Sequence, residues 1–123
     1  MNVLFVCTLN KARSIAAERL YRRTAGLSVR SAGISPRATH RLDEQDLHWA
    51  DWIIVFESVH ERWIRDTFTG DLPRVSQAGV PDDFTAHDPE LLALMRESLT
   101  ELLGPPTACV ASVPRRKRQP PRD

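Results

Sequence analysis

The sequence contains few cysteines and no long apolar run. Its two cysteines, Cys7 and Cys109, stand near opposite ends of the 123 residues without metal-ligand spacing, which argues against a disulfide framework and a zinc site. No apolar run approaches the roughly 20 residues of a membrane span, and residues 1–3 lack the basic start of a signal peptide. These absences predict a soluble, cytoplasmic protein. The length of 123 residues predicts a single domain.

Charge is distributed unevenly along the chain. The net charge is +1, yet the segment after Val113 holds five basic residues against one acidic residue, so residues 1–113 are mildly acidic. The Pro- and Arg-rich segment 105–123 has little to bury, and we expect a disordered tail. Its cations could contact a nucleic-acid backbone, but no aromatic residue is interleaved to stack on bases, so we rank that contact low.

Hydrophobic periodicity predicts an α/β domain over residues 1–104, with an open, four-stranded, mainly parallel sheet and helices on both faces. The expected strands are 2–6, 27–32, 52–56 and a weak one at 74–80. The expected helices are 14–26, a short one at 43–47, 58–68 capped by Ser58, and 88–104 capped by Asp88. Ligands of such sheets bind beyond the carboxyl ends of the strands.

The stretch VLFVCTLNKARS, residues 3–14, places a thiol at the end of the first strand, just before a helix. A strand-to-helix turn of successive amides forms a concave anion site at the positive end of the helix dipole. That environment favours the thiolate of Cys7, which is the nucleophilic form. Arg13 adds a planar fork for two phosphate oxygens, and Ser14 can hydrogen-bond the sulfur. The combination suits attack of sulfur on a bound phosphoryl group.

A second interpretation assigns no catalytic role to Cys7 and Arg13. Cys7 could be a small apolar residue at the end of a buried strand, and Arg13 a solvated residue of the first helical turn. Against it, an arginine is poorly placed at the positive end of a helix unless an anion lies there. The four histidines lie in polar surroundings, where each could be solvated.

The loop CTLNKARS, residues 7–14, resembles the phosphate-binding loop of low-molecular-weight protein tyrosine phosphatases. The Ser-Ala-Gly at 31–33, the strand ADWIIVFES at 50–58 and an aspartate loop before the last helix strengthen the likeness. It extends from Met1 to about Gly104 and is closest to compact bacterial members. Leu9 and Ala12 depart from the family pattern, where glycine and a second cysteine are common.

The resemblance implies a role for each loop residue. Cys7 would be the nucleophile, and Ser14 would support its thiolate. Asn10 and Ser31 would hold the shape of the loop. The phosphate would be bound by Arg13 together with the loop residues Thr8, Leu9, Asn10, Lys11 and Ala12, of which Lys11 could also face the incoming substrate. No metal or cofactor is implied.

The resemblance also implies an aspartate acid in the loop PDDF, residues 81–84. Departure of a phenolate from phosphorus needs a proton, and hydrolysis of the phosphocysteine then needs a base. We assign this role to Asp82, with Asp83 the close competitor, and Phe84 aligns with the tyrosine of the family pattern.

The predicted function is therefore metal-independent hydrolysis of phosphotyrosine or small aryl phosphates through a cysteinyl-phosphate. One alternative is a thiol-dependent arsenate reductase, which would need further redox cysteines where only Cys109 is available. Another is a non-catalytic module that binds phosphate or phosphoproteins.

Overall fold

The structure, a computed structural model, describes residues 1–81, 85 and 88–106. The loop residues Asp82, Asp83 and Phe84 and the segment 107–123 of the predicted tail lie outside the described residues. Pro106, which was predicted to belong to the disordered tail, is described and buried, so the tail prediction was wrong at this residue. Among the described residues, no helix combines the length and apolar composition that crossing a bilayer requires. The chain order is β1 (Asn2–Cys7), α1 (Arg13–Tyr21), β2 (Ser28–Gly33), α2 (Glu44–Trp49), β3 (Trp52–Val55), α3 (Ser58–Thr67), β4 (Arg74–Gln77) and α4 (Pro89–Leu103).

The four strands form one parallel sheet in the order β2-β1-β3-β4. Cys7 at the end of β1 pairs with Gly33 of β2, and Val6 pairs with Val55 of β3. β2 lies on one side of β1, and β3 and β4 lie on the other. Because the strand order reverses at β1, a crevice opens at the carboxyl end of that strand. The predicted fold is confirmed.

Both faces of the sheet are covered, which explains why β1 and β3 are apolar nearly throughout. Alternate residues of β1 enter two different cores. Phe5 packs with α1 and α4 through Tyr21 and Met95, whereas Leu4 belongs to the opposite core with Ile64 of α3. This arrangement holds the start of α1 and the start of α3 at the same edge of the sheet.

The first helix ends at Tyr21, five residues before the predicted end at Gly26. The amide of Thr24 donates to the carbonyl of Tyr21 at 3.0 Å, which closes a turn there. Gly26 has a φ of 84° and accepts a hydrogen bond from the amino group of Met1, so it belongs to the turn into β2. The Tyr21 hydroxyl donates to the carbonyl of Gly104 at 2.8 Å and thereby ties α1 to the end of α4.

The start of α3 also differs from the prediction. Ser58 is its first helical residue, and Glu57 occupies the capping position in an extended conformation. Glu61, three residues after Ser58, accepts from Arg65 at 2.9 Å and from Gln77 at 3.2 Å. The shift by one residue matters because it places Glu57 beside the loop after β1.

Candidate active site

Cys7 lies at the end of β1 with its sulfur facing two hydrogen-bonding groups. The backbone amide of Asn10 donates to Sγ at 3.3 Å, and the Ser14 hydroxyl lies 3.0 Å from Sγ. The Ser14 oxygen accepts from the Asn10 side chain at 2.8 Å, and its own hydrogen remains available to donate to the sulfur. Two donors on one sulfur stabilise a thiolate.

Asn10 determines the shape of the loop. Its φ of 57° lies in the left-handed region, which asparagine tolerates better than most residues. Its Oδ1 accepts from the amide of His40 at 3.2 Å, which leaves Nδ2 as the donor to Ser14. One side chain therefore joins the loop to α1 and to the segment after β2.

The outer side of the loop is bound by that same segment. The carbonyls of Cys7, Thr8 and Leu9 accept hydrogen bonds from amides within 34–39 at 3.0, 3.0 and 3.1 Å. Gly33 permits this close approach, since a Cβ there would lie 2.7 Å from the Thr8 oxygen and 2.9 Å from the Asn10 nitrogen. The glycine of the predicted Ser-Ala-Gly motif is thus required by steric contact.

A small cavity of about 60 Å³ opens inside the loop. That volume exceeds what one water occupies and suits a small oxyanion. Larger cavities of about 220 and 530 Å³ lie between α2 and the end of α3, but no cysteine lines them. The small cavity is lined by six of the predicted residues, Cys7, Thr8, Leu9, Lys11, Ala12 and Arg13.

Arg13 is buried, with 2% of its side chain exposed, and does not extend into solvent. Its Nη1 donates to Glu57 Oε2 at 2.6 Å and to the carbonyl of Val80 at 3.2 Å. The sequence predicts that Arg13 needs an anion at the start of the helix. The Glu57 carboxylate supplies part of that negative charge. Glu57 had not been identified from the sequence, since its separation from Arg13 is 44 residues.

His60 is fully buried, so the interpretation of this histidine as solvated was wrong. Its Nδ1 accepts from the amides of Phe56 and Glu57 at 3.3 and 3.1 Å. A ring nitrogen that accepts carries no proton, so the hydrogen is on Nε2, which donates to Thr8 Oγ1 at 3.0 Å. No sequence signal indicated this role, because the predicted cap was Ser58, whereas His60 lies three residues after Glu57, the cap in the structure.

Two other groups of polar residues lie apart from the cavity. Ser31 donates to Glu18 of α1 at 2.5 Å, and the structure does not place it against Asn10. Ligand atoms of His40, Asp43 and Asp46 lie within 4.8 Å of one another, an arrangement that could hold a metal. The two carboxylates already accept backbone amides of the capping box of α2, which accounts for their closeness.

Residues 2–51 match the family model for low molecular weight phosphotyrosine protein phosphatase. Among curated protein sequences, no match was found.

Solved structures share the fold over most of the chain. A YwlE mutant from Bacillus subtilis is 26% identical over 85% of this chain and 94% of its own, with a TM-score of 0.65. A YwlE arginine phosphatase carrying a phosphorylated active-site serine is 25% identical, covering 85% and 91%, with a TM-score of 0.64. A low molecular weight protein tyrosine phosphatase from Streptococcus pyogenes is 17% identical, covering 83% and 93%, with a TM-score of 0.66. Residues 2–51 thus resemble the low molecular weight phosphotyrosine protein phosphatases in sequence, and most of the chain is similar in fold to solved structures of such proteins.

Proposed function

We propose that the protein hydrolyses phosphotyrosine or small aryl phosphates through a cysteinyl-phosphate. The observation that carries this proposal is the cavity that Cys7 and Arg13 line together, with Ser14 and the Asn10 amide on the sulfur. A stabilised thiolate, an oxyanion-sized space and a buried guanidinium are the groups that phosphoryl transfer to sulfur needs.

In the first step the Cys7 thiolate attacks phosphorus and the bond from phosphorus to the aryl oxygen breaks. The departing oxygen takes a proton from a carboxylic acid, for which we propose Asp82, with Asp83 the alternative. Arg13 and the loop amides bind the phosphoryl oxygens throughout. The product of this step is phosphorylated Cys7.

In the second step water attacks the phosphocysteine. The carboxylate formed in the first step accepts a proton from that water, the bond between phosphorus and sulfur breaks, and inorganic phosphate is released. The Ser14 hydroxyl and the Asn10 amide stabilise the returning thiolate. One carboxyl group thus acts first as an acid and then as a base.

A second substrate class is phosphoarginine, because three of the similar structures are of YwlE, two of them described as arginine phosphatases. Lys11 lines the cavity and is exposed. Its ammonium group attracts an anionic phosphate ester but repels the guanidinium of a phosphoarginine. The charge on the loop therefore favours aryl phosphates.

The test is hydrolysis of an aryl phosphate by the purified chain with a metal chelator present. We expect turnover in the wild type and a loss on the order of 10⁴-fold or more in Cys7→Ser. Cys109→Ser is the matched control and should keep full activity. Activity that survives Cys7→Ser, or that disappears with chelator, contradicts the mechanism.

The same assay separates the alternatives. Running Asp82→Asn beside Asp83→Asn assigns the acid to the variant with the larger loss of kcat. Faster hydrolysis of a phosphoarginine peptide than of a phosphotyrosine peptide would favour the second substrate class. Binding of inorganic phosphate without any turnover would identify a non-catalytic module, and arsenate reduction that needs Cys109 would identify a reductase.

A further inference from the structure

We infer that the start of α3 clamps both ends of the phosphate loop, with Glu57 holding Arg13 and His60 holding Thr8. Both are positioning residues for the proposed reaction, on which this inference rests. The loop residues named from the sequence all lie within 7–14, whereas these two come from the neighbouring strand-to-helix turn. Neither was predicted to belong to the site.

The contact between Glu57 and Arg13 is asymmetric in burial. The arginine side chain is 2% exposed and the glutamate side chain is 46% exposed, and their atoms lie 2.6 Å apart. A charge-assisted bond to one guanidinium nitrogen, with the Val80 carbonyl on the same nitrogen, restricts rotation of the planar group. Glu57 therefore sets the orientation in which Arg13 meets a phosphoryl group.

The contact between His60 and Thr8 is directional. Two backbone amides donate to Nδ1, which fixes the ring and leaves a single donor, Nε2–H, pointing at Thr8 Oγ1. Because that oxygen accepts from His60, the hydrogen of the Thr8 hydroxyl is directed elsewhere, and Thr8 lines the cavity. His60 thereby makes Thr8 a donor toward a bound oxyanion.

The two contacts act as one unit because they share a rigid base. The amide of Glu57 itself donates to His60, and β3 lies directly beside β1, with Val55 paired with Val6. Thr8 near the start of the loop and Arg13 near its end are thus held relative to an adjacent strand of the sheet. A displacement of about 1 Å at such a site has a large effect on rate, so this support bears on catalysis.

The first experiment compares Glu57→Ala and Glu57→Gln with Glu61→Gln, a glutamate on the same helix that contacts Arg65 and Gln77 instead. Inorganic phosphate binding is measured by calorimetry, and kcat and KM are measured on an aryl phosphate. We expect Glu57→Ala to weaken phosphate binding about tenfold and to lower kcat. Glu57→Gln, which keeps an acceptor oxygen, should recover part of both, and Glu61→Gln should match the wild type.

The second experiment uses Thr8, since removing the buried His60 could unfold the chain. Thr8→Ser keeps the hydroxyl and Thr8→Val removes it at nearly the same volume. We expect Thr8→Val to weaken phosphate binding and lower kcat/KM about tenfold, and Thr8→Ser to retain most of both. Nitrogen chemical shifts of His60 should report a proton on Nε2 in the wild type.

The outcomes keep this inference separate from the proposed function. Phosphate binding tests the clamp even if the wild type hydrolyses nothing, in which case only the function fails. Wild-type binding and turnover in Glu57→Ala and Thr8→Val would overturn the clamp. Tighter phosphate binding in Glu57→Gln would also overturn it, because the carboxylate would then compete with the ligand for Arg13.

Discussion

The two ends of the parallel sheet use polar side chains in opposite ways. At the carboxyl end, the polar residues Asn10, Arg13, Ser14 and His60 are buried. They hydrogen-bond one another, the sulfur of Cys7 or the residues of the adjoining turns, and Arg13 also lines the small cavity.

At the amino end, the polar contacts join neighbouring chain segments near the surface. The amide of Asn2 donates to Asp51 at 2.8 Å, and its side chain donates to the carbonyl of Trp49 at 2.8 Å. Arg30 lies 4.3 Å from the centre of the Trp49 ring, a cation–π contact. None of the cavities described above is lined by these four residues.

The difference follows from the direction of the strands. Helices that follow parallel strands begin at the carboxyl end, where they present unpaired amides and the positive end of the dipole. An anion site can therefore be assembled there from α1 and α3 together, while the opposite end receives helix C-termini. Buried polar groups that surround an anion site are thus expected at the carboxyl end of this fold.

Of the substitutions that test this difference between the two ends, Gly33→Ala at the carboxyl end should have the largest effect on stability and activity. The new Cβ would lie 2.7 Å from both Ala38 Cβ and the Thr8 oxygen, so the backbone must shift. We expect a loss of about 2–3 kcal/mol in unfolding free energy and displacement of the loop, with lower kcat/KM. Gly79→Ala, where a Cβ would meet open space, is the control for denaturant unfolding. Equal stability of the two variants would refute the steric requirement.

A smaller effect is expected from Asp51→Ala at the amino end. It removes the acceptor of the Asn2 amide, and a net contribution of about 1 kcal/mol is usual for such a hydrogen bond. Thermal unfolding should show the loss, and Asp51→Asn, which keeps an acceptor, should restore most of it. Phosphatase activity should be unchanged in both, and a fall in kcat would mean that the two ends are coupled.

The smallest effect concerns Glu61, which lies on α3 but outside the clamp. Hydrogen bonds from Gln77 and then Arg65 lower the pKa of this carboxyl below its usual 4.5. A lowered folded pKa contributes stability above about pH 4.5 that is lost as the pH falls through the folded value. Glu61→Gln should thus cost about 0.3 kcal/mol at pH 7, and the difference from wild type should vanish once the pH has fallen below the folded pKa. A difference that persists at low pH would contradict this origin.

Local sequence signals predicted a large part of the molecule. Asp88 followed by Pro89, and Gly104 at the far end, marked α4 correctly because these residues act within one helical turn. The end of α1 was missed, because the chain closes a turn between Tyr21 and Thr24 before it reaches Gly26. His60 was misjudged because its polar neighbours in sequence gave no sign of burial.

The sequence by itself determined the inner ring of the site, because Cys7, Asn10, Arg13 and Ser14 are close enough along the chain for one turn to bring them together. Only the tertiary structure decided what holds that ring. Arg13 is held by Glu57 and Val80, which lie 44 and 67 residues away. The neighbouring Thr8 is held by His60, 52 residues away. Strand order and register bring these distant residues to the loop. Pairing of this kind depends on how distant segments pack, and residue spacing alone carries no record of it.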